Sequence, residues 1–187
     1  EEGTNFYQRY PHWSKMGRMV ADVKSAVDAL QNLDFIDKNR IYVFGYSLGG
    51  TVGLYASALD NRISGAASVC GFTPMRLASQ DKGIEGIKTY SHLHGLIPRL
   101  GFFVGSESRI PYDFHEILSC IAPRHLLVVA PQLDRDANFD DVKVCADEIY
   151  KVYEFYDAKN NFTFLTPFDY NHFSPELHKE VTKWFKK

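Results

Sequence analysis

Residues 41–50 are IYVFGYSLGG, a short apolar segment that runs directly into a glycine-flanked serine. The first four residues are β-branched or aromatic and do not alternate with polar ones, which is typical of a strand buried on both faces of a sheet. Residues 45–49 fit Gly-x-Ser-x-Gly, and small or apolar residues follow as far as Leu59, which suits a helix packed closely on a sheet. The sequence predicts a strand, a sharp turn holding Ser47, and a helix.

The segments around this motif alternate between helical and strand patterns. Apolar residues recur at helical spacing after Ser14, a plausible N-cap, whereas residues 1–13 are polar and aromatic and predict a loop. Further strands are expected at residues 63–69, 125–130 and 162–165, and further helices at residues 113–121, 142–156 and 177–185. This order predicts an α/β fold with a mostly parallel sheet and helices on both faces.

We expect a single domain over residues 1–187, with one irregular excursion. Residues 71–113 are rich in glycine, histidine, serine and aromatic residues and show no period. Such a segment predicts short helices at most and a lid-like cover over a site.

Composition excludes several classes of function. The chain has 187 residues, 45% of them hydrophobic and 24% charged, with a formal net charge of −2. Lys and Arg are scattered, and no apolar run approaches the roughly 18 residues that cross a membrane, so neither a nucleic-acid nor a membrane partner is indicated. Cys70, Cys120 and Cys145 are too dispersed for a disulfide framework and are expected to be small buried residues. The first residue is not Met, and no compartment is predicted.

The serine motif carries the candidate chemistry. A sharp strand-to-helix turn holds a serine in a strained conformation, so its neighbours must be small, and Gly45, Gly49 and Gly50 provide that room. Ser47 is therefore the candidate nucleophile. The backbone N–H of Leu48, at the start of the helix, is the candidate donor to a developing oxyanion.

A serine nucleophile requires a base and an acid that orients the base. With the chain order serine, acid, histidine, His172 is the candidate base, because it lies between the fourth strand and the last helix. Asp134, four residues beyond the third strand, is the favoured acid, and Asp136 is the alternative. Asp169 precedes His172 too closely to orient its ring easily and is expected to shape the loop.

Other polar and aromatic residues suggest weaker alternatives. His92, His94 and His115 raise the question of a metal, but no carboxylate or cysteine joins them at ligand spacing. We expect neither a metal nor a cofactor. Tyr46, Phe102, Phe103 and Tyr112 are the candidate substrate-binding residues. Phe102, Phe103 and Tyr112, together with Phe114, have packing of the lid as their more common role, and lining of an acyl or sugar pocket as the other.

Four segments carry a resemblance to a known family: residues 5–14, NFYQRYPHWS; 45–50, GYSLGG; 130–137, APQLDRDA; and 169–173, DYNHF. Together they resemble the C-terminal part of an α/β-hydrolase, and more narrowly the bacterial dienelactone-hydrolase-like proteins labelled acetyl xylan esterases. The resemblance implies a serine esterase that forms an acyl-enzyme, with acetyl esters of carbohydrate among its substrates. A prolyl-oligopeptidase-like peptidase is the alternative within the same fold.

One departure from this family concerns length. Family members carry about four strands before the helix that here starts near Ser14, and an early loop that supplies a second oxyanion donor. Without those strands, the strand at residues 41–44 is expected to expose an apolar edge. A preceding segment or a second copy in a homodimer would cover that edge. Otherwise the chain is a shortened, catalytically incomplete unit.

Overall fold

A four-stranded parallel sheet forms the centre of the computed structural model, which describes residues 2–77, 82, 84 and 86–186. The strands lie in the order β1-β2-β3-β4, and each neighbouring pair is parallel. They span Tyr42–Tyr46 (β1), Gly65–Val69 (β2), His125–Val129 (β3) and Phe162–Leu165 (β4). All four strands predicted from the sequence are confirmed, as is the α/β class.

Six α-helices surround the sheet in the part of the chain that the structure describes. They span Glu2–Arg9 (α1), Lys15–Gln31 (α2), Leu48–Leu59 (α3), Phe114–Ser119 (α4), Phe139–Phe155 (α5) and Pro175–Trp184 (α6). Ser14 is the N-cap of α2, as predicted, and its side chain accepts a hydrogen bond from the Gly17 N–H.

The expectation of a loop over residues 1–13 was wrong, because α1 occupies most of it. The Tyr7 hydroxyl donates to the Gly95 carbonyl at 2.6 Å, and the Phe6 ring packs edge-on against Tyr7 with centroids 5.0 Å apart. The bond to Gly95 reaches a segment 88 residues away in sequence. A helix of eight residues is marginal by itself, so it depends on tertiary contacts that a local pattern does not reveal.

Side chains alternate between the two faces of the sheet. Ala66, Leu126 and Val128 join the core formed with α2, α3, α4 and α5. Their neighbours Ala67 and Leu127 pack instead with Leu177, Val181 and Trp184 of α6. Because both faces are covered, these central strands are continuous apolar runs in the sequence.

The parallel register aligns the carboxyl ends of the strands. Tyr46 pairs with Val69, Val69 with Val129, and Val129 with Leu165. The segments that follow the four strands therefore leave the sheet at the same edge. In open parallel sheets this edge is where ligands bind.

Only short helical turns occur in the described part of the excursion. They are a π-helical turn at Thr89–Leu93 and 3₁₀ turns at Pro98–Phe103 and Glu107–Arg109. The buried carboxylate of Asp113 accepts hydrogen bonds from the Met75 and Arg76 N–H groups at 2.7 and 2.8 Å, which ties the two ends of the excursion together. Residues 78–81, 83 and 85 of the predicted excursion lie outside the described residues.

Strand β1 is an edge of the sheet, since β2 is its only partner among the described strands. The Phe44 ring on this strand is 42% exposed, although it packs against Phe173 with centroids 5.3 Å apart. Among the helices within the described ranges, none is long and apolar enough to cross a bilayer.

The close approach of the Gly45 backbone to Gly49 predicts different effects of alanine substitution at these two glycines. A Cβ at Gly45 would lie 2.1 Å from the backbone carbon and oxygen of Gly49, whereas a Cβ at Gly49 has no atom within 4 Å. We expect Gly45→Ala to lower the free energy of unfolding by at least about 3 kcal/mol, because backbone cannot move aside like a side chain. Gly49→Ala should stay within about 1 kcal/mol of the unsubstituted protein or exceed it. Denaturant titration measures both, and equal losses would contradict the close approach.

Candidate active site

Ser47 occupies the turn between β1 and α3 in a conformation that side chains rarely adopt. Its φ is 52° and its ψ −123°, and its N–H donates to the Val69 carbonyl at 2.8 Å. Residues held in such regions cost of order 1–3 kcal/mol and persist only where the surroundings enforce them. The strained turn predicted from the sequence is present, and the Ser47 side chain is exposed at the carboxyl edge of the sheet.

Leu48 is the first residue of α3. The first N–H groups of any helix lack an intrahelical acceptor, and the helix dipole adds partial positive charge there. The Leu48 N–H is thus at the end of the helix that favours an anion. The role of Leu48 as an oxyanion donor stays a prediction.

A cleft of about 470 Å³ opens at Ser47. It is lined by Ser47 and Leu48, by Cys70 directly after β2, and by Asp134 in the loop after β3. The excursion contributes further lining residues, Leu93 among them. The size suits a small organic ligand or one or two sugar rings.

Asp134 is half-buried and strongly hydrogen-bonded. Its carboxylate accepts from the Asp136 N–H at 2.9 Å and from the Asn171 side-chain amide at 3.0 and 3.2 Å. Burial raises the pKa of Asp134, although these hydrogen bonds oppose the rise. Burial, with the nearby Asp134 charge, raises the pKa of Cys70 to about 12. The Cys70 thiol is therefore protonated at neutral pH.

His172 lies on an exposed loop and faces a different carboxylate from the one expected. Its Nδ1 is 3.3 Å from Asp169 Oδ1, the residue to which we assigned only a loop-shaping role. Across the described residues, no hydrogen bond joins His172 to Ser47 or to Asp134. Asp134 contacts the neighbouring Asn171 instead. The structure thus brings Asp134 and the His172 loop together, with the imidazole itself turned to Asp169.

The residues expected to line a substrate pocket lie elsewhere. Phe102 is 87% exposed, whereas Phe103 and Tyr112 pack against the core. The Tyr46 hydroxyl donates to the Asn171 side chain at 2.7 Å. None of these four is among the described residues that form the cleft.

The excursion presents a different set of residues to the cleft, among them Thr89, Tyr90, Leu93 and His94. They belong to the π-helical turn or follow it directly, and π-helical turns occur frequently at functional sites. Sequence reasoning missed them because the excursion has no period from which their direction can be inferred.

The three histidines considered for a metal serve other contacts or stay apart. His92 Nδ1 lies 2.7 Å from the Ser91 hydroxyl, whereas His94 lines the cleft. The His115 Nε2 is 3.9 Å from the Glu116 carboxylate. Over residues 2–77, 82, 84 and 86–186, no group of three or more His, Cys, Asp or Glu side chains is arranged to hold a metal ion.

The parallel sheet and the strained serine between strand and helix define the class of protein as an α/β-hydrolase, and solved structures of that fold superpose on the chain. The chain belongs to the glucuronyl esterase family, since the family model described as glucuronyl esterase, fungi, matches residues 1–156. The resemblance drawn from the sequence is confirmed at the level of the superfamily, and the narrower comparison with dienelactone hydrolases is consistent with it there.

Two relatives illustrate the similarity. The 4-O-methyl-glucuronoyl methylesterase of Hypocrea jecorina (strain QM6a) is 31% identical over 146 residues, which cover 69% of this chain and 31% of the relative. The putative hydrolase YtaP of Bacillus subtilis (strain 168) is 27% identical over 137 residues, which cover 73% of this chain and 42% of the relative.

A glucuronoyl esterase of carbohydrate esterase family 15 from Caldicellulosiruptor kristjansonii superposes with a TM-score of 0.77 at 19% identity. The superposition covers 97% of this chain and 54% of that structure. The chain therefore spans less than half the length of the curated relatives it matches, and about half of this solved structure.

The raised pKa of Asp134 predicts a pH-dependent effect of Asp134→Asn on stability. A carboxyl whose folded pKa lies above its unfolded value, about 3.9 for Asp, binds its proton more tightly in the folded state. Stability from this group is therefore lost as pH rises from about 3.9 through the folded pKa. We expect the stability of Asp134→Asn relative to the unsubstituted protein to rise over that interval.

Urea titrations between pH 3 and pH 7 measure this difference, with Asp34→Asn as the reference for an exposed carboxyl. A relative stability of Asp134→Asn that falls as pH rises would mean that hydrogen bonding outweighs burial at this site.

Proposed function

We propose that the chain carries the catalytic centre of a serine hydrolase that cleaves carboxylic esters of carbohydrates. The observation that carries this proposal is the backbone of Ser47, held at φ 52° between β1 and α3 at the mouth of the cleft. Such strain is retained where a side chain must be presented to a ligand. Membership of the glucuronyl esterase family supports the type of bond.

In the proposed reaction, the Ser47 hydroxyl attacks the ester carbonyl carbon while His172 takes its proton. The tetrahedral oxyanion forms next to the Leu48 N–H at the start of α3. His172 returns the proton to the departing alcohol, and water then hydrolyses the acyl-enzyme with His172 again as the base. His172 must approach Ser47 for these transfers, and catalytic hydrogen bonds are often long or unmade before substrate binds.

Asp134 is the proposed orienting acid, and Asp169 is the competing candidate. Asp134 is half-buried and hydrogen-bonded, which gives it a defined position at the carboxyl edge of the sheet. Asp169 holds the imidazole in the arrangement described above, but its side chain and that of His172 are 35% and 53% exposed. Water competes for an exposed pair, so its orienting effect is weaker.

The proposed substrates are esters of a uronic acid. One relative is a 4-O-methyl-glucuronoyl methylesterase, and the family description names the same class of ester. The cleft contributes polar groups from Thr89, Tyr90 and His94 beside the apolar Leu93, a mixture that suits a sugar ring. Acetyl esters of carbohydrate are the second candidate, and an amide bond, as in a peptidase, is the third.

The substrate class is tested with three compounds: a methyl ester of glucuronic acid, p-nitrophenyl acetate and an aminoacyl anilide. We expect the uronate ester to have the highest kcat/KM. Faster cleavage of the acetate would favour the acetyl esterase, and faster cleavage of the anilide a peptidase. With none cleaved, the chain would be an incomplete unit that lacks a second oxyanion donor, whose loss costs about 10²–10³ in rate.

Ser47→Ala should abolish covalent labelling by a fluorophosphonate probe and lower kcat/KM at least about 10⁴-fold, because the probe and the ester both react with an activated serine. Intact-protein mass spectrometry measures the adduct. Ser64→Ala, at a partly buried serine just before β2 on the opposite edge of the sheet, is the matched control and should label normally. Labelling that survives in Ser47→Ala would contradict the proposal.

The acid is identified by comparing Asp134→Asn with Asp169→Asn. If Asp134 orients His172, Asp134→Asn should lower kcat about 10³-fold or more, whereas Asp169→Asn should lower it less than about 10-fold. The rates of both variants are measured by single-turnover kinetics with whichever of the two esters above the unsubstituted protein cleaves faster, which we call the reactive ester. The reverse order would assign the role to Asp169.

A further inference from the structure

Three segments of the proposed catalytic centre meet at one side chain. The Tyr46 residue directly precedes Ser47, Asp134 lies in the loop after β3, and Asn171 directly precedes His172. The side-chain amide of Asn171 contacts both of the others. Tyr46 and Asn171 are 125 residues apart in sequence, so this junction exists only in the folded chain.

Asn171 uses both ends of its amide. The Tyr46 hydroxyl donates to Asn171 Oδ1 at 2.7 Å and also reaches the Asn171 backbone carbonyl at 3.1 Å. Asn171 Nδ2 donates to the two Asp134 oxygens at 3.0 and 3.2 Å and lies 3.4 Å from Asp136. The carboxylates accept only and the phenol has one proton to give, so the amide has a single satisfactory orientation.

Other contacts hold the start of the same loop but not the histidine. The Asp169 carbonyl accepts from the Leu133 N–H at 3.0 Å, and the Pro167 carbonyl accepts from the Gln132 N–H at 2.9 Å. Beyond Asp169, the Phe173 ring packs on Phe44 and Tyr46 of the serine strand. The Asn171 side chain reaches both that strand and Asp134. The hydroxyl, amide and carboxylate also form a chain in which each hydrogen bond polarises the next.

We propose that Asn171 is a positioning residue that sets the place of His172 relative to Ser47 by joining the loop to Tyr46 and Asp134. This inference rests on the proposed function, because it assigns the base to His172. Asn171 itself touches no reacting atom. It acts through the backbone of the next residue and through the orientation of the Asp134 carboxylate.

Three variants distinguish the hydrogen bond that Asn171 accepts from Tyr46 from the hydrogen bonds that it donates to Asp134. Asn171→Ala removes both contacts, Asn171→Asp keeps the acceptor for Tyr46 but replaces the donor to Asp134 by a like charge, and Tyr46→Phe removes only the donation from the phenol. Asn161→Ala is the matched control, since the Asn161 amide bonds the Pro123 carbonyl at 2.7 Å away from the cleft.

With the reactive ester, we expect Asn171→Ala and Asn171→Asp to lower kcat about 10-fold or more, with KM changed less than about 2-fold, because a displaced base slows chemistry without weakening binding. Asn171→Asp should also move the acidic limb of the kcat profile to higher pH, since a carboxylate favours the imidazolium. Tyr46→Phe combined with Asn171→Ala should be no slower than Asn171→Ala alone. Asn161→Ala should leave both kcat and the acidic limb of the kcat profile unchanged.

A second measurement does not depend on turnover. The imidazole resonances of His172 are followed by NMR as a function of pH in Ser47→Ala protein, and then in Ser47→Ala protein that also carries each Asn171 substitution. We expect the His172 pKa to rise in Asn171→Asp and to stay unchanged with Asn161→Ala. Three carboxyl groups lie close to Asn171 or His172 and are followed in the same pH titration: Asp134, Asp136 and Asp169.

The outcomes are distinguishable. The positioning role would be overturned if both Asn171 variants left the His172 titration and kcat unchanged and lost only as much stability as Asn161→Ala does. Absence of Ser47-dependent labelling in the unsubstituted chain would overturn the proposed function, while the NMR titration would still support or overturn the link between Asn171 and His172.

Discussion

The backbone of Gly45 lies against the backbone of Gly49 and Gly50, and the candidate site depends on this contact. Any Cβ at Gly45 would come within 2.4 Å of both neighbours, so the strand and the helix that follows can approach only because a side chain is absent. Between Gly45 and Gly49 the chain turns from strand to helix, and Ser47 in this turn has the strained φ of 52°. The strain is maintained by β1, by α3 and by the bond from the Ser47 N–H to Val69.

The parallel sheet then determines which residues can meet Ser47. The aligned register brings the segments after all four strands to one edge, so Cys70, Asp134 and the His172 loop lie near the serine although they are distant in sequence. Polar groups gathered at such an edge lose water. Asp134 shows the consequence, because burial raises its pKa while hydrogen bonds from Asn171 and Asp136 stabilise the charged form.

The sequence predicted the central elements because their signals are local. Strands covered on both faces are continuous apolar runs, and the amphipathic helices repeat every three or four residues, so both patterns survive without knowledge of the fold. Helix α1 was missed because the bond from Tyr7 to Gly95 supports it from outside. Phe102 and Phe103 were misplaced because no period in the excursion indicates which side chains turn toward the cleft.

The sequence by itself determined the α/β class, the order of the strands along the chain and the strained turn at Ser47, since each follows from neighbouring residues. It also named Asp134 and His172 as candidates, whose roles remain proposals. Only the tertiary structure decided that the His172 ring faces Asp169, that Asn171 contacts Asp134, and that residues of the π-helical turn line the cleft. These contacts depend on how the loops pack against one another, which no local pattern encodes. A hydrogen-bonding group in a loop also has many possible partners of similar energy, and only the folded structure determines which one it contacts.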